Sequence, residues 1–439
     1  MTFSEVLSLN GKTCSCGKIH SASYARINVG AGAISTLADT VRSFGAKRAF
    51  VFSDVNTFAA AGERALEILD NAGIEYTSYV ISDAHLMPDE KSVGSVVMHY
   101  DYSADVIVAV GSGVINDIGK MLSLTTGKPN IIVATAPSMD GYLSNSSCMD
   151  RDGLKTTIYT KCPDAIIGDT EIMENAPMQM LAAGLGDVIA KYTSILEWRI
   201  SSVVNGEYYC ETIADIVRGA VQVCVDNADA LMARDARAVE EVFYALLVSG
   251  VAMAYATVSR PASGMEHYVS HAFDMRHLAY GTPIRLHGLQ CGVGSLELIR
   301  LYGRLKSISP SKEKALAFVS SYDYEQWKSV IREFYGKAAE AVIENEKIEQ
   351  KYSVERHAER IDRIIDSWDK ILDMISEELP DASEIESILK RMGAPTELAD
   401  LGLDEKLRTT LFKATKDIRL KYVLSHLAWD LGIEDELYK

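Results

Sequence analysis

The sequence predicts an α/β domain built on a parallel sheet over residues 1–172, followed by an all-helical domain over 173–439. Three observations predict it. From about residue 25 to 170, short β-rich runs and helical stretches take turns, which implies a parallel sheet with helices on both faces. Near residue 172 the strand-like runs stop and long helical patterns take over. The length, 439 residues, exceeds one ordinary core and suits two domains.

The elements follow in order. Arg48–Asp54 (RAFVFSD) reads as a buried strand ending on a polar residue. Thr57–Ala72 reads as a helix with Ala60, Leu66 and Leu69 among its apolar positions. Tyr76–Ile81 is a second strand and Asp89–His99 a second helix. Ala104–Val110 (ADVIVAV) is a third strand, apolar almost throughout, as expected when both faces are covered. Asp117–Thr125 is a helix and Asn130–Ala134 (NIIVA) a fourth strand. Residues 178–200, 207–231 and 236–258 then read as long helices, with more beyond 290. Near the end, Ser383 and Glu386 form a capping box. Ile385, Ile388, Leu389 and Met392 supply that helix's apolar stripe, and Gly393 with Pro395 stops it. The charge-rich stretch 344–373 reads as a solvated helical face.

Composition narrows the function. With 61 acidic and 44 basic side chains the net charge is −17, which repels phosphate backbones and argues against a nucleic-acid partner. A content of 48% apolar and 24% charged residues is that of a folded chain, not a disordered one. No uninterrupted apolar run reaches the roughly 18 residues needed to span a bilayer. The first residues lack a basic stretch followed by an apolar one, so a cytoplasmic protein is expected. Seven scattered cysteines do not make a disulfide framework. Cys14, Cys16 and His20 lie close together but match no strong zinc spacing, and no fourth ligand is near them in sequence. They are expected to be reduced thiols near a terminus.

Two loops carry the chemistry of the first domain. Gly111-Ser112-Gly113 follows the third strand and precedes a helix, so backbone N–H groups there can approach a phosphate at a helix N-terminus. The next strand ends in ATAPSMDGYLSNSS, which gathers Thr135, Ser138, Asp140, Ser144, Ser146 and Ser147. Both loops fall at the carboxyl edge of the sheet, where ligands collect in open α/β folds. Asp54, at the first strand's carboxyl end, forms a third wall. A GxG turn or a serine-rich loop alone is equally consistent with ordinary turn chemistry.

In the helical half, Asp187 lies among small and apolar residues, where a lone acid is costly to bury unless paired or metal-bound. His267 and His271 are four apart and share a helix face, and His287 sits in a small-residue setting. One carboxylate with two or three imidazoles suits a divalent transition metal with an open position. Spacing alone leaves packing histidines and ligands equally open.

GSGVINDIGK, ATAPSMDGYLSNSS, AGLGDVIAKY, SGMEHYVSHAFDM and LHGLQCGVG, in this order, resemble the sn-glycerol-1-phosphate dehydrogenases, most closely their bacterial, AraM-like branch. That family lies within the superfamily of glycerol dehydrogenases, iron-type alcohol dehydrogenases and dehydroquinate synthases. The resemblance spans roughly residues 20–300. It implies a dehydroquinate synthase-like fold and reversible reduction of dihydroxyacetone phosphate to sn-glycerol 1-phosphate by NADH or NADPH. It further implies that Gly111, Ser112, Gly113, Val114 and Ile115 hold the cofactor pyrophosphate. Thr135, Ser138 and Ser144 would line the nicotinamide side, and Asp54 would contact the adenosine ribose. Asp187, His267 and His287 would bind one divalent metal, zinc or nickel. Asp140 and His271 would meet the substrate with Asp187 close by. An imidazole's pKa can lie near neutral, which suits His271 as a proton relay to the substrate oxygen, directly or through water. A homodimer is implied as well. Ser112 departs from the three glycines that the family often places there, and a serine narrows the allowed backbone angles.

Two rivals share this framework. One is a metal-dependent glycerol or polyol dehydrogenase acting on an unphosphorylated substrate. The other is a dehydroquinate synthase-like lyase. Its phosphate and carboxylate substrate calls for a crowd of Lys and Arg, whereas loops 134–147 and 261–275 have only Arg260 at their border.

Overall fold

The computed structural model describes residues 1, 3–22 and 26–439. The first half is a six-stranded parallel sheet: β1 (Arg26–Gly30), β2 (Arg48–Asp54), β3 (Glu75–Ile81), β4 (Val106–Gly111), β5 (Asn130–Ala134) and β8 (Ala165–Asp169). Their order is β1-β8-β5-β4-β2-β3. A two-stranded antiparallel hairpin, β6 (Ser146–Arg151) with β7 (Leu154–Tyr159), lies outside this sheet. Every residue of β4 and β5 is buried, as their unbroken apolar runs require. Val51, Val106, Val108, Val110, Ile131, Val133 and Ile167 line one core together with Leu37, Val41, Ala65 and Leu69 from flanking helices.

The predicted parallel α/β region followed by helices is what the chain adopts. Four strands were legible as strands, and β1, β8 and the hairpin add to them. The hairpin's turn is Asp152-Gly153, with φ of 54° and 77°. Asp-Gly in a two-residue loop is the strongest local hairpin signal, and this one is short enough to pass unnoticed between charged residues. The helix expected from Asp117 begins earlier, as α1 (Gly113–Thr126), because its first turn grows straight out of the glycine turn.

The helices that follow include α2 (Met178–Asn205), α3 (Glu211–Asp226), α4 (Ala236–Ala256), α5 (Met265–Tyr280) and α6 (His287–Leu305). Two compact units interleave along the chain: Met1–Val188 with Gly219–Thr257, and Ile189–Arg218 with Val258–Lys439. Helices α2 and α3 therefore each run through both units. Among the described residues one helix, α4, has the length and apolarity to cross a membrane; 72% of its apolar window is buried inside the protein.

In the second unit, the buried Glu197 carboxylate fixes two helix starts. It accepts from Met265 N at 2.8 Å and from Leu424 N at 2.8 Å. The C-terminal helix predicted from Ser383 and Glu386 runs from Ala382 to Arg391 (α7). Its N-cap is Asp381, so the capping box is not formed; Ser383 already lies inside the first turn. Glu386 instead pairs with Arg300 at 2.9 Å and with Lys390, charge partners worth more to it than a backbone N–H. The stripe is as expected, with Ile385, Ile388 and Leu389 buried, and Gly393 at φ +67° ends the helix.

Candidate active site

Strand order locates the cofactor edge. From β2 the chain steps outward to β3, then returns to place β4 on the other side of β2 and continues away through β5. The reversal falls between β2 and β4, and the crevice at such a switch point is where open α/β sheets bind ligands. The carboxyl ends of those two strands are Asp54 and Gly111.

At Gly111 a Cβ would lie 2.5 Å from the Ile115 side chain, so glycine there lets the first turn of α1 close down on the strand end. Ser112 is the N-cap of α1 at φ −108°, an angle open to any L-residue, so serine carries no strain at this position. Its side chain does not cap the helix, which leaves the first N–H groups of α1 for another acceptor. Ile115 is buried, while Ser112, Gly113 and Val114 are partly exposed. Asp54 caps the helical turn that follows β2: its Oδ1 accepts from Asn56 N at 2.8 Å and Thr57 N at 2.9 Å.

The serine-rich loop is pinned from below. Thr135 N donates to Gly111 O at 3.1 Å, which joins the two loops directly. Lys120, fully buried on α1, pairs with Asp117 at 3.0 Å and donates to Gly141 O at 3.0 Å, Ser144 Oγ at 3.2 Å and Ser146 O. Asn116 Nδ2 adds a bond to Gly141 O at 3.1 Å. Ser144 is thus an internal link of the loop as well as part of its wall, and Ser138 is buried beside it. Sequence reasoning missed Asn116 and Lys120, although both stand in the NDIGK segment that completes the glycine-turn motif. A polar and a cationic residue on an otherwise apolar helix face were the available signal.

The same loop holds Asp187. Pro137 O presses so closely on Gly184 that a Cβ there would stand 1.8 Å from the carbonyl oxygen. One helical turn on, Asp187 Oδ2 accepts from Asp140 N at 3.0 Å.

In the second unit, His267 on α5 faces His287 on α6 with ring centroids 5.1 Å apart, and Cys291 Sγ, also on α6, lies 3.5 Å from His287 Nε2. The imidazoles are oriented from behind. Glu266 Oε1 lies 2.9 Å from His267 Nδ1, and Ser270 Oγ lies 2.8 Å from His287 Nδ1. Partners at Nδ1 leave each Nε2 to face an ion, the usual support of a ligating histidine. Burial draws the Glu266 carboxyl upward, but its bonds to His267 and to Thr193, 2.7 Å away, outweigh this and hold it below its usual pKa. Burial and the Glu266 charge push Glu197 up to about 8. Two oriented imidazoles and an adjacent thiol are donors that suit a divalent transition metal. Cys291 was not singled out from the sequence; its place four residues after His287 on one helix face was the signal.

His271 stacks on His287 with ring centroids 6.0 Å apart. Burial pushes its imidazole down to about 3, and Asp274, at 3.9 Å, offsets this only in part. Burial thus favours the neutral imidazole over the charged one at His271. Arg260, the lone cation bordering the loops, is bound to Glu207 at 2.8 and 2.5 Å and to Tyr422 O at 2.8 Å.

Residues 28–177 match the family model described as iron-containing alcohol dehydrogenase. A glycerol-1-phosphate dehydrogenase [NAD(P)+] from Halalkalibacterium halodurans is 29% identical over 94% of both chains. One from Geobacillus stearothermophilus is 33% identical over 69% of this chain and 76% of its own. The solved glycerol dehydrogenase from Schizosaccharomyces pombe shares the fold, with a TM-score of 0.59 and 16% identity over 95% of this chain and 92% of that one. The chain belongs to the glycerol-1-phosphate dehydrogenase family and is an oxidoreductase. Membership implies a nicotinamide cofactor and a divalent metal ion.

Proposed function

We propose that this chain catalyses the reversible reduction of dihydroxyacetone phosphate to sn-glycerol 1-phosphate with NADH or NADPH. The observation that carries the reading is the facing pair His267 and His287, each imidazole backed at Nδ1, in a chain whose relatives bear that activity in their names. Gly111 to Ile115 would hold the cofactor pyrophosphate, Thr135, Ser138 and Ser144 the nicotinamide side, and Asp54 the adenosine ribose. Asp187, His267 and His287 would hold zinc or nickel. Bound there, the nicotinamide supplies a hydride and the cation polarises the ketone oxygen.

The chain's own groups do the rest. Two neutral imidazoles and one carboxylate leave the ion site net positive, matched to an oxygen that gains negative charge as the carbonyl is reduced. Asp140, held beside Asp187 through its backbone N–H, positions a substrate hydroxyl. His271 gives the product oxygen the proton on one ring nitrogen and regains one on the other, so it stays neutral overall. The chain works as a homodimer in the cytoplasm, as the resemblance implies.

The test is NADH oxidation with dihydroxyacetone phosphate against dihydroxyacetone. The phosphorylated ketone should be preferred, and a preference for dihydroxyacetone would point to the polyol dehydrogenase instead. Chelation should abolish turnover, and added zinc or nickel should restore it.

A further inference from the structure

We propose, on the reading that this chain reduces dihydroxyacetone phosphate, that Arg419 binds the phosphate of that substrate and sets the preference over the free ketone. Arg419 belongs to the second unit and lies in the irregular stretch 416–423, between the helices Arg408–Thr415 and Leu424–Leu431. Every other charged side chain in this stretch has a partner. Lys416 pairs with Glu434 at 3.1 Å, and Asp417 accepts from Trp327 Nε1 at 2.9 Å and from Tyr352 Oη at 2.7 Å. Lys421 Nζ donates to Ser263 O at 2.6 Å and to Ser259 O at 3.2 Å. The half-buried Arg419 guanidinium makes no hydrogen bond or ion pair among the described residues.

A cation drawn partly out of water without a partner loses hydration that nothing in the fold returns. The chain carries 61 acidic side chains, and elsewhere in this unit the arginines find them. Arg260 bonds Glu207, Arg300 bonds Glu386, Arg360 bonds Asp430 and Arg408 bonds Glu297. With carboxylates this abundant, a guanidinium left open points to an anion supplied from outside the chain. Its planar fork suits a phosphate group, to which it presents two parallel N–H donors. Arg260, the cation that the sequence sets beside the site loops, is already committed to Glu207 and to Tyr422 O.

The fold carries Arg419 toward the His271 face of α5. The buried Lys351 Nζ donates to Lys416 O at 2.6 Å and to Arg419 O at 3.0 Å, which fixes the backbone under the arginine. Lys421 ties the following residues to α5: its Nζ holds Ser259 O and Ser263 O just before the helix, and its backbone N donates to Tyr268 Oη at 3.3 Å. Tyr268 and His271 are three apart on α5 and so share one face. The Arg419 charge is felt at both. It adds to burial in disfavouring a protonated His271, and it offsets part of the burial that raises the Tyr268 phenol. From there the guanidinium holds the phosphate at one end of a three-carbon substrate while His271 meets the oxygen being reduced.

The test compares dihydroxyacetone phosphate with dihydroxyacetone on the full, metal-loaded chain as wild type, Arg419→Gln and Arg419→Lys. Arg419→Gln should raise KM for the phosphorylated ketone about 10-fold to 100-fold. Its kcat/KM for dihydroxyacetone, NADH dissociation constant and metal content should stay at wild-type values. Arg419→Lys keeps the charge but loses the fork, so its KM should fall between the two. In parallel, the wild type is treated with phenylglyoxal alone, with sn-glycerol 1-phosphate or with glycerol, and peptide-mapped, which does not depend on any variant folding. The phosphate ester should shield Arg419 and glycerol should not, with the exposed Arg356 modified equally throughout. A wild type that prefers dihydroxyacetone would sink the underlying reading. A wild type that prefers the phosphate ester would overturn the role of Arg419 alone if Arg419→Gln keeps that preference in full, or if the ester leaves Arg419 unshielded. A raised NADH dissociation constant in Arg419→Gln with an unchanged substrate KM would also overturn it, by assigning the anion to the cofactor.

Discussion

The glycine-turn edge of the sheet and the histidine cluster are built in opposite ways. The first uses backbone close in sequence: the 111–113 turn and the 135–147 loop are bonded to each other and held by Asn116 and Lys120 of the intervening helix. The second uses side chains from two helices, at residues 267, 287 and 291. A site made of backbone groups tolerates side-chain change except where a glycine or a buried cation fixes its shape. A site made of side chains has no such redundancy, since each ligand removed changes the charge and the coordination together.

That contrast can be broken or sharpened by four measurements. The largest effect is expected for Asp187→Asn. Removing the only charged ligand should cut kcat by about 10³-fold or more, a barrier rise of about 4 kcal/mol, and should lower metal content with little change in the NADH dissociation constant. Lys120→Met should act the other way round. It strips Asp117 of its cation and takes one donor each from Gly141 O and Ser146 O, at a cost of about 3 kcal/mol in unfolding free energy by urea titration, with weakened NADH binding and metal content retained. Equal loss of metal in both variants would show that the two regions are not separately built.

Smaller effects probe the cluster's support. Glu266→Gln keeps the shape behind His267 but removes the carboxylate from Nδ1, so metal affinity or activity should fall about 10-fold to 100-fold. The last concerns acid. Burial depresses the His271 pKa to about 3 in the folded chain, while an unfolded chain takes up that proton near 6.5. The unfolded state therefore binds more protons across this window, and stability is lost as pH falls below about 6.5. His271→Gln should make the decline of the urea midpoint between pH 7 and pH 4 shallower; an unchanged slope would place the acid sensitivity elsewhere.

Much of the first region was legible because its signals are local. β2 and β5 occupy the segments read for them, Arg48–Asp54 and Asn130–Ala134, and the turn after β4 is written in Gly111 and Gly113. What escaped there were residues whose role depends on a partner across a loop. Lys120 reads as a surface lysine until Gly141 and Ser144 are placed against it. Ser383 and Glu386 show the converse, a correct local pattern overruled by Arg300 from another helix. In the cluster, spacing pointed to His267, His271 and His287, and Cys291 stood four residues after His287, whereas the supporting Glu266 and Ser270 carried no separable signal.

By itself the sequence determined the succession of strands and helices, the place of the glycine turn and the residue types available to hold an ion. Those features are set by neighbours within a few positions, through backbone preference and the periodic burial of apolar side chains. Only the tertiary structure decided that His267 meets His287 from another helix, that Glu266 and Ser270 back them, and that burial favours a neutral His271. Coordination and desolvation depend on distances in space, and chain packing sets those distances between residues that sequence separation leaves unrelated.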